Sequence, residues 1–163
     1  MHLPPATPYL AAELIFYGRL GLTEEADRIL SARGYGRAHF RALYVVARNP
    51  GITTNALLAR LKITNQSLSR VMGQLVREGM VVQAMDHTDR RQRLHSLSPD
   101  GEQLEHQVRQ AQFRAVERAA EIAGTEALNG FLRILYELVP EGERHLLSHA
   151  LPDLGPKNST AQM

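Results

Sequence analysis

The sequence contains no cysteine and no long uninterrupted run of apolar residues. The absence of cysteine excludes disulfide bonds, thiol-based redox sensing and cysteine-ligated zinc. No segment approaches the roughly 18 consecutive apolar residues that a membrane-spanning helix requires. The N-terminus also lacks a basic region followed by an apolar one. We therefore expect a cytoplasmic protein with no membrane partner.

Lysine is also scarce, and the positive charge is unevenly distributed. Of the 19 Lys and Arg residues, only Lys62 and Lys157 are lysine, and the formal net charge of the chain is +2. Residues 60–95 hold seven basic and three acidic residues, a net charge of +4, so the rest of the chain carries −2. Arginine favours planar, bidentate contacts over diffuse attraction. A positive region on an otherwise near-neutral chain fits a polyanionic partner.

Residues 64–78 are predicted to form an amphipathic helix. Apolar residues recur at intervals of three and four and share one face: Leu68, Val71, Met72, Leu75 and Val76. The opposite face is polar: Gln66, Arg70, Gly73 and Arg77, flanked by Ser67 and Gln74. Thr64 is placed to cap this helix, and Gly79 is placed to end it. Because glutamine and arginine can hydrogen-bond to bases and phosphates, the polar face suits the major groove of DNA.

Two strand-like runs follow the helix, at residues 80–85 and 93–97, and a polar loop joins them. The pattern predicts a hairpin with an arginine tip. Considered alone, Arg90, Arg91 and Arg93 are more typical of a solvated loop that keeps a sheet edge from pairing. Their position directly after a helix with a polar face favours the other interpretation, the wing of a winged helix.

The segments before this region are predicted to be helical. Residues 9–20 form a strongly apolar helix that Gly18 and Gly21 interrupt, and Thr23 caps a restart. A short helix this apolar requires a cover, and self-association supplies one. Further helices at 37–48 and 55–61 are separated by Asn49-Pro-Gly51, and Thr53 or Thr54 caps the second. The helix at 55–61 and the one at 64–78 then form a helix-turn-helix.

The C-terminal part is also predicted to be helical. Ser98 and Pro99 begin a helix that Gly124 ends, Thr125 begins another that reaches 139, and Pro140 begins a last one. The predicted fold class is mainly α with a small β-hairpin wing: a winged helix-turn-helix with dimerisation helices at both ends. Its expected divisions are a dimerisation region at 1–35, the DNA-binding domain at 36–98, dimerisation helices at 99–151 and a disordered tail at 152–163.

Three segments together resemble the MarR family of bacterial transcription regulators: GITTNALLARLKITNQSLSRVMGQLVREGMV at 51–81, DRR at 89–91 and LSPDG at 97–101. The resemblance covers about residues 36–101, and RAHFR at 37–41 with TNQSL at 64–68 is most similar to the PetP-like subgroup. The stretch between Leu97 and the last helix is longer than usual for the family, and 125–139 is predicted to be an inserted helix.

The resemblance implies a homodimer whose two lobes bind a near-palindromic operator in double-stranded DNA. We favour a repressor, and tuning by a small-molecule effector is a further hypothesis. Asp89 is implied to orient Arg91 into the minor groove, while Arg90 and Arg93 contact phosphates. The predicted DNA-binding residues are Thr54, Asn65, Gln66, Ser67, Arg70, Gln74, Arg77, Asp89, Arg90, Arg91 and Arg93. Candidate ligand-binding residues are Tyr17, His39 and Tyr44, for which packing in the core is the more common role.

Other functions have weaker support in the sequence. A winged helix can also serve as a protein–protein module without sequence-specific DNA binding, and this is the principal alternative. His145 and His149 lie one helical turn apart, but no third ligand is evident, so neither a metal site nor a cofactor is predicted. Ser67 and Ser69 have no neighbouring base, which disfavours nucleophilic catalysis and hence an enzyme.

Overall fold

A computed structural model describes residues 7–86, 89 and 92–147. The elements in chain order are α1 (Thr7–Ser31), α2 (Arg37–Arg48), β1 (Ile52–Thr53), α3 (Thr54–Leu61), α4 (Asn65–Arg77), β2 (Val81–Met85), β3 (Arg93–Leu97), α5 (Pro99–Ala123), α6 (Thr125–Leu138) and a 3-10 helix (Glu141–Leu147). This mainly helical architecture with one small sheet confirms the predicted fold class. In the described ranges, no helix has the length and apolar character needed to cross a membrane.

Helix α1 corrects one prediction. It is continuous over 25 residues, and Gly18 and Gly21 lie inside it instead of interrupting it. The Thr23 hydroxyl donates to the carbonyl of Arg19, 3.1 Å away, one turn back in the same helix, and therefore does not cap a new one. A glycine costs a helix only about 1 kcal/mol relative to alanine. The alanine, leucine and glutamate residues around these two glycines favour the helix enough to offset that cost.

A single apolar core joins helices α1 to α5 with the sheet. Its largest fully buried side chains are Leu30, Leu43, Val46, Leu57, Leu68, Leu75, Val81, Leu104 and Val108. Helix α1 contributes only from its second half, through Ala26 and Leu30. Arg37, in the first turn of α2, also attaches α2 to α1, because its guanidinium donates to both carboxylate oxygens of Asp27. The core therefore holds α2, α3 and α4 in a fixed mutual arrangement.

The sheet contains the predicted hairpin and one strand that the sequence did not reveal. Strands β2 and β3 pair antiparallel, from Val81 opposite Leu97 to Met85 opposite Arg93. Strand β1 pairs with the other edge of β3 and places Ile52 opposite His95. A strand of two residues is too short to show the alternation of polar and apolar residues on which prediction relies.

The end of α4 is attached to the start of α5 at Met80. Gly79 adopts a φ of +73°, and the next amide, that of Met80, donates to the carbonyl of Leu75. The Met80 carbonyl accepts from the backbone amide and the hydroxyl of Ser98, at 3.1 and 3.2 Å. That hydroxyl also caps α5 by accepting from the amide of Gly101. A β-carbon on Gly101 would lie 2.0 Å from the Met80 oxygen, so the close approach requires glycine.

The chain divides into two compact units, residues 1–115 and 116–163. In the second unit, α6 confirms the predicted helix, and none of its residues is buried. Its description as an insertion, like the predicted domain divisions, stays a prediction. The last predicted helix is a 3-10 helix, in which Arg144 donates to the Glu137 carboxylate at 2.7 Å. His149 and the predicted tail at 152–163 lie outside the described residues.

Candidate nucleic-acid interface

Two threonines begin the two helices of the helix-turn-helix. Thr53 caps α3 by accepting a hydrogen bond from the amide of Ala56 at 3.2 Å, which decides between the two predicted caps. Thr64 caps α4 as predicted, because its hydroxyl oxygen accepts from the amide of Ser67 at 3.2 Å. Between the helices, Lys62 adopts a left-handed conformation with φ of 52°. The turn is therefore tight, and the start of α4 is fixed by its own sequence.

Arg41 also holds this turn, a role that the sequence analysis missed. Its guanidinium donates to the carbonyl of Leu61, the last residue of α3, at 2.7 Å. The last carbonyls of a helix have no partner within it and carry partial negative charge, so an arginine stabilises them. A basic residue on the exposed side of α2 is the only signal that sequence inspection could have used.

Helix α4 has the predicted division into two faces. Leu68, Val71, Met72 and Leu75 are buried, whereas Asn65, Gln66, Ser67, Arg70, Gly73 and Arg77 are exposed. Within the described part of the chain, no hydrogen bond or ion pair holds the Arg70 guanidinium, so it is available to a partner. Arg77 lies 3.8 Å from the Glu78 carboxylate in an exposed pair, which is worth little in water.

Gln74 differs from its neighbours on α4, because it is half-buried and already has a partner. Its side-chain oxygen lies 2.9 Å from Nε2 of His39, on helix α2. Gln74 is one of the predicted DNA-binding residues, and His39 is one of the predicted ligand-binding residues. The structure brings these two side chains into contact, and the predicted contacts of Gln74 with DNA and of His39 with a ligand stay predictions.

Thr54, another predicted DNA-binding residue, contacts a buried histidine. Its hydroxyl lies 3.0 Å from Nε2 of His95, whose side chain is only 2% exposed. The Gln83 amide nitrogen, which can only donate, faces Nδ1 of His95 at 3.4 Å. Nε2 therefore carries the proton and donates to Thr54. Burial lowers the pKa of His95, and the neighbouring Arg93 lowers it further, so the neutral ring links α3 to both strands of the hairpin.

The wing loop is held by Asp89 and Gln92. The Asp86 amide donates to the carbonyl of Gln92, and the Gln92 side-chain amide donates to the Asp89 carboxylate at 3.1 Å. Arg93 is exposed at the start of β3. Arg90 and Arg91 lie outside the described residues, so the contact between Asp89 and Arg91 and the roles of both arginines stay predictions.

The three predicted ligand-binding residues lie in different surroundings. Tyr17 is 64% exposed on the first half of α1, and its ring packs against the edge of Phe16. Tyr44 is half-buried under the guanidinium of Arg48, 3.6 Å from the ring centre, and Arg48 also approaches the buried Glu105. A ligand site shared by Tyr17, Tyr44 and His39 stays a prediction. Among the described residues, no group of three or more His, Asp or Glu side chains could hold a metal ion.

A helix-turn-helix with an exposed Gln/Arg face, followed by a hairpin, defines a winged helix-turn-helix protein. Comparison with known proteins identifies the family. The model of the MarR family matches residues 33–92. The HTH-type transcriptional regulator PetP of Rhodobacter capsulatus is 37% identical over 134 residues, which cover 82% of this chain and 81% of PetP. The chain therefore belongs to the MarR family of transcriptional regulators, as the resemblance in its sequence predicted.

Solved structures share the fold at lower sequence identity. A MarR family transcription regulator matches with a TM-score of 0.72 and 20% identity, covering 81% of this chain and 87% of its own. The transcriptional repressor CouR, solved bound to a 23-mer DNA duplex, matches with a TM-score of 0.67 and 18% identity. The match covers 86% of this chain and all of the CouR chain. The architecture described above is therefore that of the family.

Proposed function

We propose that the protein is a transcriptional repressor that binds double-stranded DNA as a homodimer, with helix α4 in the major groove. The observation that carries the proposal is the exposed face of α4, where Gln66 and Arg70 point away from a closed core. These side chains can form bidentate hydrogen bonds with adenine and guanine, respectively. CouR, which has the same fold, is a transcriptional repressor whose structure contains a DNA duplex. The proposed activity is binding without a catalytic step, in the cytoplasm.

The proposed contacts divide into two kinds. Arg70 and Gln66 reach base edges, while Asn65, Ser67 and Arg77 face phosphates at the two ends of α4. The amides of the first turn of a helix attract phosphate, which favours this arrangement at Asn65 and Ser67. In the wing, Arg91 is proposed to enter the minor groove, whose negative potential is strongest in A·T-rich DNA, and Arg90 and Arg93 to bind phosphates.

The proposal of a homodimer rests on apolar surface that one chain leaves uncovered. The first half of α1 exposes Tyr9, Leu10, Leu14, Ile15, Phe16, Tyr17 and Leu20. Helix α6 exposes Phe131, Leu132, Ile134 and Leu138. Apolar patches of this kind mark association surfaces. In a two-fold dimer, the two α4 helices would contact half-sites about 34 Å apart, which is one turn of DNA.

The proposal is tested with duplexes selected on the wild-type protein from a randomised library. We expect Arg70→Ala to weaken binding by about 1–3 kcal/mol and to relax the preference for one base pair, because the contact is to a base edge. The matched control is Arg28→Ala on α1, where the arginine is exposed and forms an intrahelical pair with the exposed Glu24. This variant makes the same change of charge and should bind as the wild type does.

Salt dependence separates DNA binding from the principal alternative, a protein–protein module. Phosphate contacts release counterions, so the binding constant should fall steeply as salt concentration rises. If the wild-type protein selects no sequence from the library and shows no salt-dependent affinity for duplexes, the proposed function is wrong. An equal loss of affinity in Arg70→Ala and Arg28→Ala would contradict only the role assigned to Arg70, and not the proposed function.

A further inference from the structure

Helix α2 begins with an unusual cap. Its N-cap residue, Gly36, has no side chain that could accept a hydrogen bond, yet its own amide donates to Nδ1 of His39 at 3.0 Å. His39 occupies the third helical position, from which glutamate or glutamine commonly reaches back in this way. Because Nδ1 accepts a hydrogen bond here, the proton of the neutral ring lies on Nε2. The cap therefore determines which ring nitrogen of His39 is a donor.

The donor nitrogen points at helix α4. Nε2 of His39 donates to the side-chain oxygen of Gln74 across 2.9 Å, between residues 35 positions apart in the chain. Glu78, the C-cap residue of α4, lies one helical turn after Gln74. The pKa of the Glu78 carboxyl is lowered first by a hydrogen bond from Tyr35 and then by one from Gln74. The Tyr35 ring in turn lies 5.1 Å from the His39 ring.

These contacts leave Gln74 poorly suited to reading a base. A glutamine recognises adenine through both ends of its amide at once, and in this protein the oxygen end already accepts from His39. Gln74 also lies one turn from Arg70 on the same side of the helix. The apolar face of α4 is packed against the core, but apolar packing is not directional. A hydrogen bond of fixed geometry restricts rotation of the helix about its axis in a way that packing alone does not.

We propose that His39 and Gln74 form a positioning pair that sets the orientation of α4, and hence the direction in which Arg70 meets DNA. This inference rests on the proposed function and assigns to both residues a role other than direct contact with DNA or with a small ligand. His39 links the capped start of α2 to the DNA-binding helix. Its hydrogen bond to Gln74 restricts the rotation of α4 about its axis, and so sets the direction of Arg70, one turn away on the same side of the helix.

The test uses the full-length protein and duplexes selected on the wild type from a randomised library. We expect His39→Ala and Gln74→Ala each to weaken binding about threefold to tenfold, the effect of one net hydrogen bond. The double variant should bind no worse than either single one, because both substitutions break the same link. His39→Ala and Gln74→Ala should each relax the sequence preference at the same base pair at which Arg70→Ala relaxes it.

His39→Gln is the rescue variant. One amide can accept from Gly36 through its oxygen and donate to Gln74 through its nitrogen, so we expect wild-type affinity. His106→Ala on α5 is the matched control, since this histidine is exposed and its side chain hydrogen-bonds to Arg109 on the same helix. Urea unfolding of each variant shows whether a loss of binding exceeds what a loss of folded protein explains.

The outcomes separate this inference from the proposed function. If Arg70→Ala weakens binding and His39→Ala does not, the positioning pair is refuted and the proposed function stands. Additive effects of His39→Ala and Gln74→Ala, with Gln74→Ala changing preference at a base pair of its own, would show that Gln74 reads DNA and would also refute the pair. If the wild-type protein selects no duplex, both proposals fail.

Discussion

The winged helix-turn-helix lobe, which runs from α2 to β3, and the first half of helix α1 are both rich in large apolar side chains. Only the lobe buries these side chains within a single chain. Leu43 of α2 and Leu57 of α3 are fully buried. Leu14 of α1, a residue of the same type in a helix of the same protein, is 63% exposed. Every residue from 7 to 21 is exposed, whereas Ala26 and Leu30 of the same helix are buried.

The difference indicates that the two regions are stabilised in different ways. The lobe forms a closed core within one chain, so its stability depends on packing inside the protomer. The first half of α1 gains little from burial within its own chain, and a helix of this length is marginal in water without tertiary packing. Its stability is therefore expected to depend on a second copy, and to vary with protein concentration.

The largest expected effect comes from paired leucine substitutions. We expect Leu43→Ala to lower the free energy of unfolding by about 2–5 kcal/mol, because a buried leucine leaves a cavity. Leu14→Ala removes no buried packing within one chain, so it should weaken self-association instead. Urea unfolding at several protein concentrations, with sedimentation equilibrium, distinguishes the two. A loss of stability in Leu14→Ala that is the same at every concentration would contradict the comparison.

Paired glycine substitutions should produce a smaller contrast. Gly101→Ala would place its β-carbon 2.0 Å from the Met80 oxygen, and we expect a loss of about 1–3 kcal/mol, as for other overpacked sites. Gly18→Ala meets no atom within 4 Å in its own chain and should gain about 0.5–1 kcal/mol from helix propensity. Thermal unfolding measures both. Reduced dimerisation in Gly18→Ala would instead place Gly18 at a close contact between copies.

The smallest expected effect concerns the buried polar group of the lobe. Burial lowers the pKa of His95 below its ordinary value of 6.5, so the unfolded chain takes up a proton before the folded chain does. The stability from the neutral ring is therefore complete above the ordinary pKa and declines as pH falls through the lowered one. Unfolding of the wild type and of His95→Gln between neutral and mildly acid pH tests this. Parallel pH profiles of the two proteins would contradict it.

The helices of the lobe could be predicted because their signals are local. Thr64 and Gly79 delimit α4 through contacts within a few residues, and the apolar interval of three and four residues shows which face is buried. The exposed position of Arg70 follows from the same pattern. Helix α1 was predicted less well, because an interior glycine lowers helix propensity only slightly and does not determine where a helix ends.

The other features that could not be predicted depend on residues far apart in the chain. Strand β1 exists because β3 pairs with it, and Gly101 is required because Met80 lies against it. The partnership of His39 with Gln74 depends on how α2 crosses α4. Neither residue carries a local pattern that distinguishes a positioning role from contact with DNA or a ligand.

The sequence by itself determined the order of the helices, the two faces of α4 and the concentration of arginine around the hairpin, because caps, glycine stops and apolar spacing act over one or two helical turns. The tertiary structure alone decided which polar side chains of the DNA-binding region remain available to a partner. Hydrogen bonds such as those of Gln74 with His39, at 2.9 Å, and of Thr54 with His95, at 3.0 Å, form only where packing of the core brings side chains of distant helices and strands together.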